Sequence, residues 1–166
     1  GLGGRLDATN VIKPEISILT PIELEHTQFL GNTIQEIAGE KAGIIKNGIP
    51  VISAGQKEEA MQVFIRFAKE KNSEISFIND LITDFKLEYL LRCIKNNTYS
   101  ENFLNEKTVK SDKIGVETVP LMKLSFNSPL FSRPINADLR LLGEFQGYNA
   151  ALAACAVKKV LPKLSE

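Results

Sequence analysis

The 166-residue chain holds one histidine and two cysteines. Cys93 lies in a polar stretch and Cys155 in an alanine-rich one, so neither a disulfide framework nor a thiolate metal motif is spelled out. A reducing cytosol is the expectation. The 20 basic and 20 acidic residues leave no net charge. A general nucleic-acid or anionic-membrane binder needs a basic excess, and there is none, although a local basic pocket stays open. No apolar run is long enough to span a bilayer, and no signal peptide is recognisable. A cytoplasmic protein without nucleic-acid or membrane partners is therefore expected. No internal repeat is visible. What remains, 43% hydrophobic and 24% charged, suits one globular domain or a large piece of one. A start at glycine instead of methionine fits a truncated or processed chain.

Periodicity supplies the fold class. Glu15–Thr20 reads as a short buried strand, followed by a polar loop. Thr33 and Glu36 have capping-box spacing before an apolar-periodic run that ends near Lys46. Ile49–Ala54 and Ile75–Ile78 read as two more strands, separated by an amphipathic helix over Lys57–Lys71 with Ala60, Phe64, Phe67 and Ala68 inside. Strand and helix in alternation predict an α/β fold, a mostly parallel doubly wound sheet with right-handed crossovers. Leu81–Ile94 fits strand or helix. Lys95–Glu117 reads as an extended loop or excursion hairpin. Val119–Phe126 and Ala137–Leu142 read as antiparallel strands that return the chain to the main sheet. The antiparallel excursion thus covers residues 82–136. Gly143–Gly147 reads as a turn, and Tyr148–Val160 as a closely packed helix of small residues.

Chemistry concentrates near the start. Gly1–Gly4 can turn tightly and approach a ligand. It is not a Walker A loop, because no Lys-Ser or Lys-Thr pair follows. Arg5 and Asp7 are a charged pair in that loop; Asp7 can orient a polar ligand edge or close an Asx turn. His26 sits on a loop after a strand, where open α/β sheets collect ligands; it equally suits an exposed loop histidine. Lys41 falls on the same helical face as Ile34, Ile37 and Ala38. Burial of an ammonium is costly and lowers its pKa, and a neutral amine can take up carbon dioxide as a carbamate. The alternative is a lysine that snorkels, its stem on apolar surface and its head in water. Asn149 falls in the first turn of its helix, as a cap or as a ligand contact at the free N–H groups. Gln146 is explained as well by a turn hydrogen bond. Lys46 reads as a surface lysine near a helix C-terminus, where a cation suits the dipole.

In order and spacing, GLGGRLDATNVI, EHTQFLGNT, IAGEKAGIIK and GEFQGYNAA resemble folylpolyglutamate synthase and the bifunctional dihydrofolate synthase, in the Mur-ligase superfamily. The match is dense at the start, good at the end and weaker between. The resemblance implies the central ATP-binding domain, in part, of a longer enzyme. The phosphate loop would lie upstream, a metal-binding glutamate two positions before Gly1, and a C-terminal ligase domain downstream. It implies that ATP activates a carboxylate as an acyl phosphate, which the amine of L-glutamate attacks. The acceptor would be a folate, dihydropteroate, or both.

Leu6, Asp7 and Ala8 then fall on the pterin-substrate contacts. His26 falls on a magnesium ligand and Lys41 on the carbamylated lysine beside that ion, the two catalytic positions. Asn149 falls on an ATP contact. The cofactors implied are ATP and Mg2+. A monomer is expected for the full-length protein, and an inactive fragment for this chain alone. Glu25 replaces the usual aspartate before the histidine, and Phe145 the usual histidine of the GxHQ segment. Another Mur-type amino-acid ligase, or a non-catalytic nucleotide- or folate-binding module, is the alternative; the DATN loop argues against the first.

Overall fold

A computed structural model describes residues 4–24, 27–95, 98–103 and 117–161. The chain divides into two compact units, Gly1–Leu81 with Leu152–Glu166, and Ile82–Ala151. The first unit is built on three parallel strands, β1 (Ser17–Leu19), β2 (Val51–Ser53) and β3 (Ile75–Phe77), in sequential order. Parallel neighbours require crossovers. A short helix α1 (Thr27–Leu30) and then α2 (Ile34–Ala42) connect β1 to β2, and α3 (Glu58–Glu70) connects β2 to β3.

Strand alternation sorts the side chains. Leu19, Val51 and partly buried Ile75 pack in one core with Ile37, Ala38 and Ala42 of α2 and Ala60, Val63 and Phe64 of α3. Ile52 is fully buried outside that core. On its side of the sheet, Ser76 Oγ accepts a 2.8 Å hydrogen bond from Lys159, whose Nζ also meets Glu74 Oε1 at 2.6 Å. Lys159 belongs to α5 (Glu144–Val160), whose Leu152, Cys155 and Ala156 are buried. Helices therefore cover both faces of this small sheet, as expected for a doubly wound arrangement. The Lys159 ammonium holds the Glu74 carboxyl below its ordinary pKa, chiefly through that hydrogen bond.

The α2 N-terminus forms as its sequence dictates. Thr33 Oγ1 accepts from Glu36 N, and Glu36 Oε2 accepts from the Thr33 and Asn32 amides at 3.1 and 2.7 Å. Gly31 has φ +117°, and a Cβ there would stand 2.4 Å from Glu36 Cβ, which explains the glycine before the box. The amide hydrogen bonds, that from Asn32 foremost, lower the Glu36 pKa. A lowered carboxylate pKa stabilises the folded state above the unfolded value, and this is lost as pH falls through the folded one. Acidification is expected to lower the protection factors of the Asn32 and Thr33 amides, taken against their intrinsic exchange rates at each pH, and Glu36→Gln to flatten that dependence. Thr33→Ala should cost about 1 kcal/mol in denaturant unfolding.

Several boundaries differ from the sequence expectation. The α2 helix stops at Ala42, with Gly43 as its C-cap, so Lys46 lies beyond the helix. The polar loop after β1 contains α1. A helical turn α4 (Ile78–Leu81) follows β3 directly.

The second unit is a separate antiparallel sheet of β4 (Thr83–Lys95), β5 (Thr98–Phe103), β6 (Glu117–Asn127) and β7 (Ile135–Leu139), ordered β5-β4-β6-β7. The excursion hairpin is present as β4–β5, while residues 104–116 lie outside the described set. The strands β6 and β7 pair as expected but do not rejoin the parallel sheet. Leu87, Leu124 and Ala137 align across three strands on one face; Lys86, Ser125 and Asn136 align on the other. The first face receives the start of α5: a Cβ on Gly147 would stand 2.5 Å from Leu87 Cδ2, and Tyr148 stacks on Phe85 at 4.2 Å. The predicted Gly143–Gly147 turn is thus largely helix, because α5 begins at Glu144.

Candidate functional site

The loop from Gly4 to Ile12 docks on the C-terminal end of α2. Asp7 caps a 3-10 turn, Ala8–Val11, its Oδ1 accepting from Thr9 N at 2.9 Å and Thr9 Oγ1 at 2.6 Å. The Asx-type geometry expected of Asp7 is therefore present. The end of a helix leaves carbonyls without intrahelical partners. Here the loop supplies donors. Arg5 N donates to Glu40 O at 2.8 Å, and Asn10 Nδ2 donates to Gly43 O at 3.1 Å.

Two glycines permit this approach for different reasons. Gly4 has φ +89°, and its Cβ would fall 2.2 Å from Glu40 O. Gly43 has an ordinary helical φ of −59°, but its Cβ would fall 2.5 Å from Arg5 Cβ. The GLGG and EKAG segments are thus complementary surfaces. Arg5 pairs with Glu40 at 3.1 Å; with 60% and 30% exposure, that pair contributes little energy.

Lys41 lies in the last turn of α2 and is half-buried, less deeply than Ile37 or Ala38 beside it. Among the described residues, its ammonium has no hydrogen-bond or ion-pair partner. The backbone of Gly4 lies against it, since the Gly4 Cβ would be 3.0 Å from Lys41 Cα. The docked loop therefore brings the Leu6–Asp7–Ala8 segment to the end of the helix that carries Lys41. Leu6 and Ala8 are exposed and Asp7 is half-buried. His26 lies outside the described residues. The loop leading to it is held by Gln56, whose Nε2 donates to Thr20 O at 2.9 Å and whose Oε1 accepts from Ile22 N at 3.1 Å.

Asn149 is exposed in the second turn of α5, five residues past the helix start, and so is not a cap. The free N-terminal amides belong to the turn before it. Gln146 N donates to Gly143 O at 3.0 Å, a main-chain bond that does not depend on the glutamine side chain. Lys46 is half-buried and donates from Nζ to Asn10 O at 2.7 Å, which replaces the surface role expected of it. Gly4, Asn10, Gly43, Lys46 and Gln56 are parts of this site that periodicity could not find. The one signal for the first four was the joint occurrence of the GLGG, DATN and EKAGIIK segments.

A depression of about 560 Å3 on the polar face of the second unit has another character. Across it Glu88, Lys123 and Asp138 stand opposite one another on adjacent strands, an alternating charge ladder. Among the described residues no group of three His, Cys, Asp or Glu could hold a metal ion. These residues alone do not make a divalent-cation site.

No family model matches the chain. A dihydrofolate synthase/folylpolyglutamate synthase of Bacillus subtilis is 47% identical over 90 residues, 54% of this chain and 21% of that protein. A probable dihydrofolate synthetase of Schizosaccharomyces pombe is 33% identical over 158 residues, 95% of this chain and 30% of that protein. The chain is a homologue of the folylpolyglutamate and dihydrofolate synthases. A folylpolyglutamate synthase solved with AMPPCP and folate superposes with a TM-score of 0.71 at 25% identity, covering 98% of this chain and 32% of that one. The α/β architecture with its added antiparallel sheet is the Mur-ligase fold. The chain spans between 21% and 32% of the length of these proteins. Among the described residues, no helix is long and apolar enough to cross a membrane.

Proposed function

We propose that this chain is part of the central ATP-binding domain of a ligase that adds L-glutamate to folates, to dihydropteroate, or to both. The observation that carries this reading is the docking of the GLGGRLDATN loop on the IAGEKAG helix end. The two segments that carry the sequence resemblance form one interlocked surface. The relative solved with AMPPCP and folate supports the substrate classes. ATP transfers its γ-phosphoryl group to the acceptor carboxylate, giving an acyl phosphate and ADP. The glutamate amine attacks the acyl carbon, and inorganic phosphate leaves. Such transfers depend mainly on positioning and charge neutralisation.

In this reading Leu6, Asp7 and Ala8 contact the pterin-bearing acceptor. The exposed Leu6 offers apolar surface to a ring, and the Asp7–Thr9 bonds fix the loop's backbone. Asn149 contacts ATP from the exposed side of α5. Lys41, as its carbamate, and His26 are the proposed Mg2+ ligands and catalytic positions. A carbamate offers the oxygen anion that a hard cation prefers, which an ammonium cannot. The protein works in the cytoplasm, in folate and one-carbon metabolism, as a monomer.

The test is ADP release by the full-length protein with ATP, Mg2+ and glutamate, comparing dihydropteroate, tetrahydrofolate and no acceptor. Acceptor-dependent release is expected. Release indifferent to both acceptors would move the protein to another amino-acid ligase.

A further inference from the structure

We infer that Asn10 and Lys46 are positioning residues that hold the acceptor loop against α2. The inference rests on the reading of Leu6–Ala8 as acceptor contacts.

Asn10 uses one amide nitrogen twice. Its Nδ2 donates to Arg5 O inside the loop and to Gly43 O beyond α2, both at 3.1 Å. The first bond closes the loop on itself, and the second ties it to the helix end. Its backbone also serves both ends: Asn10 N donates to Asp7 O at 2.9 Å, and Asn10 O accepts from Lys46 Nζ at 2.7 Å. Asp7 and Ala8 lie between Arg5 and Asn10, so their placement depends on this closure. No side chain of the same size does this equally well. Aspartate has no N–H donor and would set a carboxylate against two carbonyl oxygens. Leucine matches the shape but leaves both carbonyls without the bond.

Lys46 acts one step further back. Ile45, beside it, is buried in the first unit's core, which anchors the lysine's backbone. Lys46 O also accepts from Ser73 Oγ at 2.7 Å, a second fixed point. The ammonium thus reaches the loop from a rigid base. Its ammonium meets the loop at Asn10 O, outside the Leu6–Ala8 segment, so Lys46 acts on the acceptor through the Asn10 main chain. Asn10→Ala keeps the main-chain carbonyl that Lys46 holds, so the losses from the two residues should combine.

The experiment uses the full-length protein and the variants Asn10→Ala, Lys46→Met and the double variant. Apparent KM values are measured for acceptor and for ATP, together with kcat. Asn10→Ala is expected to raise the acceptor KM about tenfold and Lys46→Met about threefold, with the ATP KM changed less than twofold. The double variant should exceed Asn10→Ala by about the threefold expected for Lys46→Met. Hydrogen exchange gives a second readout that needs no substrate. The Arg5 and Asn10 amides should exchange roughly tenfold faster in Asn10→Ala, while amides of α3 stay unchanged.

Unchanged exchange at both amides would overturn the clamp. Faster exchange with equal losses for acceptor and ATP would overturn its role in positioning the acceptor and leave a structural tie. A wild-type protein with no acceptor dependence would refute the proposed function instead, and the exchange rates would still decide whether the clamp exists.

Discussion

Lys41→Ala is expected to reduce acceptor-dependent turnover of the full-length protein by at least about a hundredfold, with little loss of stability. The two halves of this expectation have separate grounds. The side chain is half-buried, and no hydrogen bond or ion pair ties its ammonium to any described residue. Its structural contribution is then stem packing and a favourable cation at a helix C-terminus, together about 1 kcal/mol. A large loss of turnover with a small loss of stability would mark a chemical role.

The proposed carbamate makes a further demand. It replaces a cation by an anion at the negative end of the α2 dipole, which is unfavourable without a compensating positive charge. The carbamate should therefore build up only with a divalent cation present. A carbon NMR signal from labelled bicarbonate that needs both Lys41 and Mg2+ is the expected observation. Turnover that survives Lys41→Ala would return this residue to a snorkelling lysine.

Gly4→Ala should destabilise the first unit by about 3 kcal/mol, and the size can be bounded in two ways. An L-residue in the left-handed region costs about 1–2 kcal/mol, and overpacking adds roughly 1–3 kcal/mol. The atoms that a Cβ would meet, Glu40 O at 2.2 Å and Glu40 C at 2.7 Å, are backbone and cannot rotate aside. The loop has one escape, which is to lift away from α2. That forfeits the bonds Arg5 N to Glu40 O, Asn10 Nδ2 to Gly43 O and Lys46 Nζ to Asn10 O, at about 1 kcal/mol each. Lifting thus caps the loss near the same value.

Gly39 is the internal control. It lies within α2 with nothing within 4 Å of an added Cβ, so Gly39→Ala should stabilise by about 0.5–1 kcal/mol. Equilibrium denaturation of both variants tests the contrast. Two equal effects would deny the tight approach at Gly4.

The parts of this fold that were legible are those set by neighbours in sequence. Thr33 and Glu36 are one helical turn apart, and their capping box formed as their spacing required. The three parallel strands followed from short β-branched runs between turn residues. The second unit was less legible, because pairing partners such as Glu88 and Lys123 are distant in sequence and leave no local period.

The loop–helix junction failed for the same reason. Asn10 and Gly43 are 33 positions apart, and Lys46 meets Asn10 across 36. Periodicity carried the helix through to Lys46, because Ile44 and Ile45 continue an apolar run. Tertiary docking ended it at Ala42 instead, with the loop taking up the end carbonyls. Family likeness singled out Asp7 and Lys41 as candidates without explaining why their segments occur together. The geometry supplies that reason, since Gly4 and Gly43 each make room for the other's segment.

The most direct measurement is the mass of the acceptor after incubation of the full-length protein with tetrahydrofolate or dihydropteroate, ATP, Mg2+ and L-glutamate. A product heavier by one glutamyl residue is expected, formed only with ATP and in step with ADP. An acceptor recovered unchanged while ATP is consumed, or a product formed without ATP, would contradict the proposed function.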